Sequence, residues 1–111
     1  MKVCLAQINT TPGDFSGNFE AIGAGIDAAR AGDADIVLFP ELTIPGYLHQ
    51  DLIYHPLYVD RNLAVLGDVV ERTRGIPGLH VVVGYIDRNP EAGKPFRNMA
   101  AVIRDGRVVC T

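Results

Sequence analysis

The chain has 111 residues, of which 48% are hydrophobic, and a formal charge of −3 at pH 7. This length supplies one hydrophobic core at most, so the sequence predicts one domain or part of one. Lys and Arg are dispersed rather than clustered, which argues against nucleic acid and membrane surfaces as partners. No apolar run approaches the roughly 20 residues of a transmembrane helix, and the first residues lack the length of a signal-peptide core. A cytoplasmic location is therefore expected.

The first third of the chain predicts a strand, a helix and a second strand. From Lys2 to Ile8 both alternating sets of residues are largely apolar, which is typical of a central strand covered on both faces. Turn residues at 10–14 precede Asn18, which is expected to cap a helix that ends at Gly32. A second buried strand is predicted over Asp35–Phe39. This order implies a parallel pair joined by a right-handed crossover, so the predicted fold class is α/β.

The middle of the chain predicts a second helix and a third strand. Apolar residues recur at helical spacing at Val59, Leu63, Leu66 and Val70, which predicts an amphipathic helix. This helix is expected to end near Gly75. After it, Leu79–Ile86 is a nearly continuous apolar run, interrupted only by His80 and Gly84, and predicts a buried strand.

The last third predicts a hairpin. After a loop at 89–95, strands over Met99–Ile103 and from Val108 onward flank Asp105-Gly106, the dipeptide typical of a type I′ turn. The second of these strands has only a few residues after its turn, which would leave part of its partner unpaired. Residues 1–111 are therefore expected to be the truncated, amino-terminal portion of a domain.

The chemistry of the chain is concentrated in the segment from Phe39 to Tyr47, which follows the second strand. Open α/β sheets bind ligands at the carboxyl ends of their strands, and Glu41 stands there. Between Pro40 and an apolar sequel, its carboxylate is expected to be partly desolvated, which would suit it to take up a proton as a general base. For an isolated Glu, a turn cap or an ion pair with Arg is the commoner role.

The segment Phe39-Pro40-Glu41, followed by Gly46-Tyr47, resembles the first signature of the nitrilase superfamily of carbon–nitrogen hydrolases. Within the superfamily the chain is most similar to the glutaminase domain of glutamine-dependent NAD synthetases. Further matching stretches span nearly the whole chain and lie at residues 3–9, 13–18, 51–52, 98–103 and 104–107.

The resemblance implies a fold and a catalytic triad. The fold is the amino-terminal part of an αββα sandwich, and the triad consists of a Glu, a Lys and a Cys that hydrolyse the glutamine side-chain amide. It assigns the general base to Glu41 and a place in the glutamine pocket to Tyr47. In the family the Lys closely follows the Asp-Gly hairpin, so the resemblance implies a Lys within a few residues past Thr111 and a Cys later still. Lys2 and Lys94 do not match the family's position, and the 111 residues alone are expected to be inactive.

The resemblance also implies partners. They are glutamine, the rest of a longer chain with a synthetase domain that uses ATP and Mg²⁺, and further copies in a homo-oligomer. No cofactor is expected in this segment, because Gly23-Ala24-Gly25 lacks the third glycine of a dinucleotide fingerprint.

The remaining thiols and imidazoles favour structural roles. Cys4 and Cys110 are expected to be reduced, inert thiols packed in strands. The histidines and aspartates lack the spacing of zinc or calcium ligands, so no metal site is predicted; they are His49, His55, His80, Asp14, Asp33, Asp35 and Asp51.

Two alternatives remain open from the sequence. The chain could belong to another amidase or nitrilase of the superfamily that acts on a small amide or nitrile. It could also be a non-catalytic interaction module that uses the open face of half a sandwich, although an uncovered apolar sheet face promotes aggregation.

Overall fold

The computed structural model describes all 111 residues as one five-stranded sheet with two α-helices and a short 3₁₀ helix. The strands are β1 (Val3–Leu5), β2 (Ile36–Leu38), β3 (His80–Arg88), β4 (Phe96–Arg104) and β5 (Arg107–Cys110), and the helices are α1 (Phe15–Ala31), α2 (Tyr58–Thr73) and the 3₁₀ helix Gln50–Tyr54.

The spatial order of the strands follows the chain from β1 to β5. The pairs β1–β2 and β2–β3 are parallel, whereas β4 and β5 join antiparallel. Val37 lies at the centre, opposite Cys4 on one side and Val81 on the other. The predicted parallel pair is therefore confirmed, and so is the α/β class. The type I′ signal is also borne out: the hairpin turns at Asp105 and Gly106, with φ of 50° and 73°.

Both α-helices cover the same face of the sheet. Ile22 and Ile26 of α1 and Val69 of α2 are fully buried against Val37 and Val81. This arrangement follows from two successive crossovers of one hand, which place their helices on one side. The described chain thus contains one helical layer packed on one sheet layer.

The opposite face of the sheet is open near β1. Val3, Leu5 and Leu38 are 44%, 67% and 37% exposed, and β1 stands first in the sheet. The prediction of a central first strand covered on both faces is therefore wrong for this structure. Apolar residues at both parities reveal that a strand suits burial, but they do not specify which element covers it.

The start of α1 also differs from the prediction. Asp14 caps the helix, and its Oδ1 accepts a hydrogen bond of 3.0 Å from the backbone N–H of Gly17. Asn18, predicted as the cap, lies one turn inside and is 2% exposed. Its side chain exchanges two hydrogen bonds of 2.9 Å with the backbone of Thr11 and donates one of 3.0 Å to the Ile44 carbonyl. It joins two loops instead of capping a helix.

Candidate functional site

The loop after β2 continues alongside β3, where β2 itself has ended. The backbone N–H of Phe39 donates to the Val82 carbonyl at 3.0 Å, and that of Ile44 donates to the Gly84 carbonyl at 3.1 Å. These bonds satisfy polar groups on the edge of β3 that would otherwise have no partner. They also place Glu41, midway between them, at the carboxyl end of β2, where the sequence predicted it.

Gly84 allows this close approach. A Cβ at this position would lie 2.4 Å from the Leu42 nitrogen and 3.1 Å from the Glu41 carbonyl carbon. Leu42 also has φ of 51°, in the left-handed region that few residues with side chains adopt. The loop therefore reverses direction directly against β3, and the backbone of Glu41 is held there by steric fit as well as by hydrogen bonds.

The far end of the loop is fixed by groups from elsewhere in the chain. The hydroxyl of Tyr58 donates to the Pro45 carbonyl at 2.7 Å, and Asn18 binds the Ile44 carbonyl. Burial raises the pKa of Tyr58, so this hydroxyl remains a donor well into alkaline pH. A Cβ at Gly46, where φ is 88°, would lie 2.5 Å from the Pro12 nitrogen. The loop is thus rigidly anchored at both ends.

The Glu41 side chain extends into solvent from this rigid backbone. It is exposed, so the expected partial desolvation is wrong, because no element of the described chain packs over it. None of the five ion pairs involves it, so the commoner role in an Arg pair is not realised either. Its one hydrogen-bond partner is the side chain of Asn98 on β4, whose Nδ2 donates to Oε1 at 2.5 Å.

Glu41 and Asn98 lie on the wall of an open cavity of about 310 Å³. Its other lining residues are apolar or small, namely Phe39, Pro40, Val82, Gly84, Met99 and Ala100. Asn98 also borders a second cavity of about 190 Å³, which includes His49 and Arg97. An oriented carboxylate beside a small apolar cavity can accept a proton from a group that enters the cavity.

Tyr47, the second predicted site residue, is 57% exposed. It follows Gly46 at the end of the anchored loop and does not line the cavity that contains Glu41. Within these residues the structure therefore does not bring the two predicted site residues together.

The cysteines are far apart. Cys4 is partly buried on β1, and Cys110 is exposed on β5, so burial does not account for the second as predicted. Because β1 and β5 form opposite edges of five strands spaced about 4.8 Å apart, roughly 19 Å separates them, too far for a disulfide.

No group of three potential metal ligands occurs. His49 packs beside Tyr58 at a ring distance of 6.0 Å, with its Nδ1 buried and without a hydrogen-bond partner.

None of the helices has both the length and the apolar character to cross a bilayer.

Sequence reasoning missed the roles of Asn98 and Gly84. A glycine inside a predicted strand often marks close backbone approach, so Gly84 carried a usable signal. Asn98 is a polar residue at the beginning of a strand that returns antiparallel to β3. That topology places the start of β4 beside the carboxyl end of β2. The position of Asn98 can therefore be inferred only once the β3–β4 pairing is known.

Residues 2–111 match the family model described as carbon-nitrogen hydrolase. The chain belongs to the carbon–nitrogen hydrolase family. The resemblance based on the Phe39–Tyr47 segment is thereby confirmed.

The similar proteins include glutamine-dependent NAD(+) synthetases. That of Thermotoga maritima is 35% identical over 109 residues, which are 98% of this chain and 18% of that protein. That of Xanthomonas campestris is 37% identical over 112 residues, covering the whole chain and 19% of that protein. The chain thus spans about a fifth of the length of these relatives and corresponds to their amino-terminal carbon–nitrogen hydrolase part.

Solved structures of the family share the fold. The glutamine-dependent NAD+ synthetase of Acinetobacter baumannii, in complex with ADP, superposes with a TM-score of 0.78 at 28% identity, covering 97% of this chain and 19% of that one. An amidase from Nesterenkonia sp. reaches 0.83 at 22% identity, covering 99% and 41%. The second likeness shows the fold alone, which is that of the nitrilase superfamily.

Proposed function

We propose that this chain forms the amino-terminal part of the glutaminase domain in a glutamine-dependent NAD synthetase. The parent protein would hydrolyse the side-chain amide of glutamine and use the ammonia to form NAD from deamido-NAD. The observation that carries the proposal is similarity over nearly the full chain to synthetases that are glutamine-dependent by name. The anchored, solvent-facing carboxylate of Glu41 supports it independently.

In the proposed reaction Glu41 is the general base. A Cys from a later part of the parent chain gives its thiol proton to Glu41, and its sulfur bonds to the amide carbon. A Lys, also from later in the chain, and backbone donors stabilise the resulting oxyanion. Glu41 then returns the proton to the departing nitrogen as the carbon–nitrogen bond breaks. Ammonia leaves, and water hydrolyses the thioester to glutamate.

The exposure of Glu41 in the described residues suits a reaction in which the nucleophile comes from another segment of the parent chain. A base that must meet a nucleophile from another segment has to present a free carboxylate oxygen on an accessible surface. The 310 Å³ cavity beside it offers apolar walls for the methylene groups of a glutamine side chain. We assign Tyr47 to the same substrate from the family pattern, with later segments completing the contact.

Several finer points remain predictions. ATP and Mg²⁺ would act in the synthetase domain, and we expect homo-oligomers and a cytoplasmic location. The 111 residues contain neither the Lys nor the Cys of the proposed triad at matching positions, so they should release no ammonia from glutamine.

The test uses the full-length protein. Wild type should release ammonia from glutamine, and Glu41→Gln should lower kcat by about 10²-fold or more, because the amide cannot accept the thiol proton. Glu20→Gln is the matched control, since Glu20 is exposed on α1 and forms no ion pair; it should retain full activity.

Other results would favour the alternatives. Unchanged turnover in Glu41→Gln would refute the base assignment. Turnover of small amides or nitriles without glutaminase activity would identify another member of the superfamily. No turnover of any of these substrates would favour an interaction module.

A further inference from the structure

We propose that Asn98 is a positioning residue for Glu41: its side-chain amide holds one carboxylate oxygen, so that the other faces the reacting proton. The inference rests on the proposed function and assigns to β4 a role in the same reaction. Its starting point is the hydrogen bond of 2.5 Å between Nδ2 and Oε1, which joins residues 57 positions apart.

Both ends of this contact have a fixed backbone. Asn98 lies opposite Ile86 in the antiparallel β3–β4 ladder. On its other edge, Ile86 is held by the fully buried side chain of Asn62, which donates to its carbonyl at 2.5 Å and accepts from its N–H at 3.0 Å. Glu41 is held against β3 through Gly84. The two side chains therefore meet without having to order any mobile segment.

The donor and acceptor atoms of the two side chains determine how Asn98 faces Glu41. An ionised carboxylate only accepts hydrogen bonds, so the amide nitrogen of Asn98 must face Oε1. Oε1 is then occupied, and Oε2 is left for proton transfer. A carboxylate held at one oxygen has fewer orientations open to it, and a catalytic base requires such positioning by a neighbouring group.

A neutral amide is suited to this task because it adds no charge. A cation at the same place would favour the ionised form and weaken the carboxylate as a base. The charged and titratable groups that border Asn98 do not contact Glu41: Arg97 pairs with Glu91 at 3.0 Å, and His49 lines the other cavity. Glu41 forms no ion pair, and the other residues around its cavity are not ionisable.

If Asn98 had a purely structural role, its removal would lower the stability of the fold. Both side chains are exposed, and an exposed hydrogen bond contributes little to stability, because water forms equivalent bonds to both groups when the chain is unfolded. Loss of Asn98 should therefore leave folding nearly unchanged while it releases Glu41 to rotate. The positioning role predicts a loss of kcat without a corresponding loss of stability or substrate affinity.

The experiment compares Asn98→Ala with wild type in the full-length protein. We expect kcat for glutamine hydrolysis to fall by about 10²-fold, as misplacement of a reacting group by about 1 Å can produce, with KM changed less than about threefold. Asn89→Ala is the matched control, because it removes the same amide group from the β3–β4 loop, where Asn89 binds the Lys94 carbonyl. This control should behave as wild type.

Two further variants test whether Asn98 acts through Glu41. Glu41→Gln combined with Asn98→Ala should be no slower than Glu41→Gln alone, because a positioning residue has no effect once its target is gone. Asn98→Asp places a second carboxylate against Glu41 and should move the acid limb of the pH profile of kcat to higher pH, since like charges disfavour ionisation.

Each contrary result has a distinct meaning. Wild-type kcat in Asn98→Ala, additive losses in the double variant or an unmoved acid limb in an active Asn98→Asp would each overturn the positioning role while glutaminase activity stands. An inactive wild type would overturn the proposed function and this inference together.

Discussion

Replacement of Gly84 by Ala tests the close contact between β3 and the loop that carries Glu41. The new Cβ would lie 2.4 Å from the Leu42 nitrogen and 3.1 Å from the Glu41 carbonyl carbon, and both atoms belong to backbone that cannot rotate away. The Ile44 N–H also binds the Gly84 carbonyl at 3.1 Å, so the loop cannot retreat without stretching that bond.

The size of the effect follows from these distances. Ordinary contact begins near 3.4 Å, so the loop around Leu42 must move by about 1 Å. Overpacking of this kind costs about 1–3 kcal/mol of stability. The same displacement carries Glu41 away from its position against β3, and a shift of about 1 Å in a catalytic group can reduce kcat by about 10²-fold.

The assay measures the glutaminase kcat and the urea midpoint of the first unfolding transition in the full-length protein. Gly67→Ala serves as the control, because Gly67 lies in α2 and a Cβ added there would meet no atom within 4 Å. It should be active and more stable than wild type by about 1 kcal/mol, the gain in helix propensity. If Gly84→Ala matched this control in stability and activity, the argument from close approach would be refuted.

Three further predictions concern stability and the pocket. Asn62→Ala should destabilise the fold by about 2–4 kcal/mol in denaturant unfolding, because it leaves the buried N–H and carbonyl of Ile86 without partners. A loss of stability below about 0.5 kcal/mol, which is typical of a surface substitution, would contradict this prediction. Tyr47→Phe should raise the KM for glutamine with little change in kcat, and an unmoved KM would remove Tyr47 from the substrate contacts. Burial raises the pKa of Tyr58 and Tyr85 above their ordinary 10.0, so the unfolded chain loses these protons at lower pH than the folded chain. The free energy of unfolding should therefore fall as pH rises above about 10. Constant stability from about pH 9 to 11 would contradict this prediction.

Much of the fold could be predicted because its signals are local. Helical spacing of apolar residues located α2, Gly32 marked the end of α1, and Asp105-Gly106 marked the hairpin turn. The strand–helix–strand order was enough to predict parallel pairing, since only a crossover of one hand packs its helix back on the sheet.

The site could be predicted only in part. The position of Glu41 at the carboxyl end of β2 follows from the order of elements. Its exposure and its hydrogen bond to Asn98 do not, because they depend on which strand lies next to β3 and on what covers the loop.

Short segments and their order along the chain were therefore enough to predict the five strands, the two α-helices, the parallel pairing, the family and the place of Glu41. Three side-chain contacts depend on how the chain folds: Asn18 joins two loops instead of capping α1, Asn62 binds the unpaired edge of β3, and Asn98 binds Glu41. An amide side chain can satisfy almost any backbone or side-chain group, so its partner is set by proximity in space rather than by its neighbours in the chain.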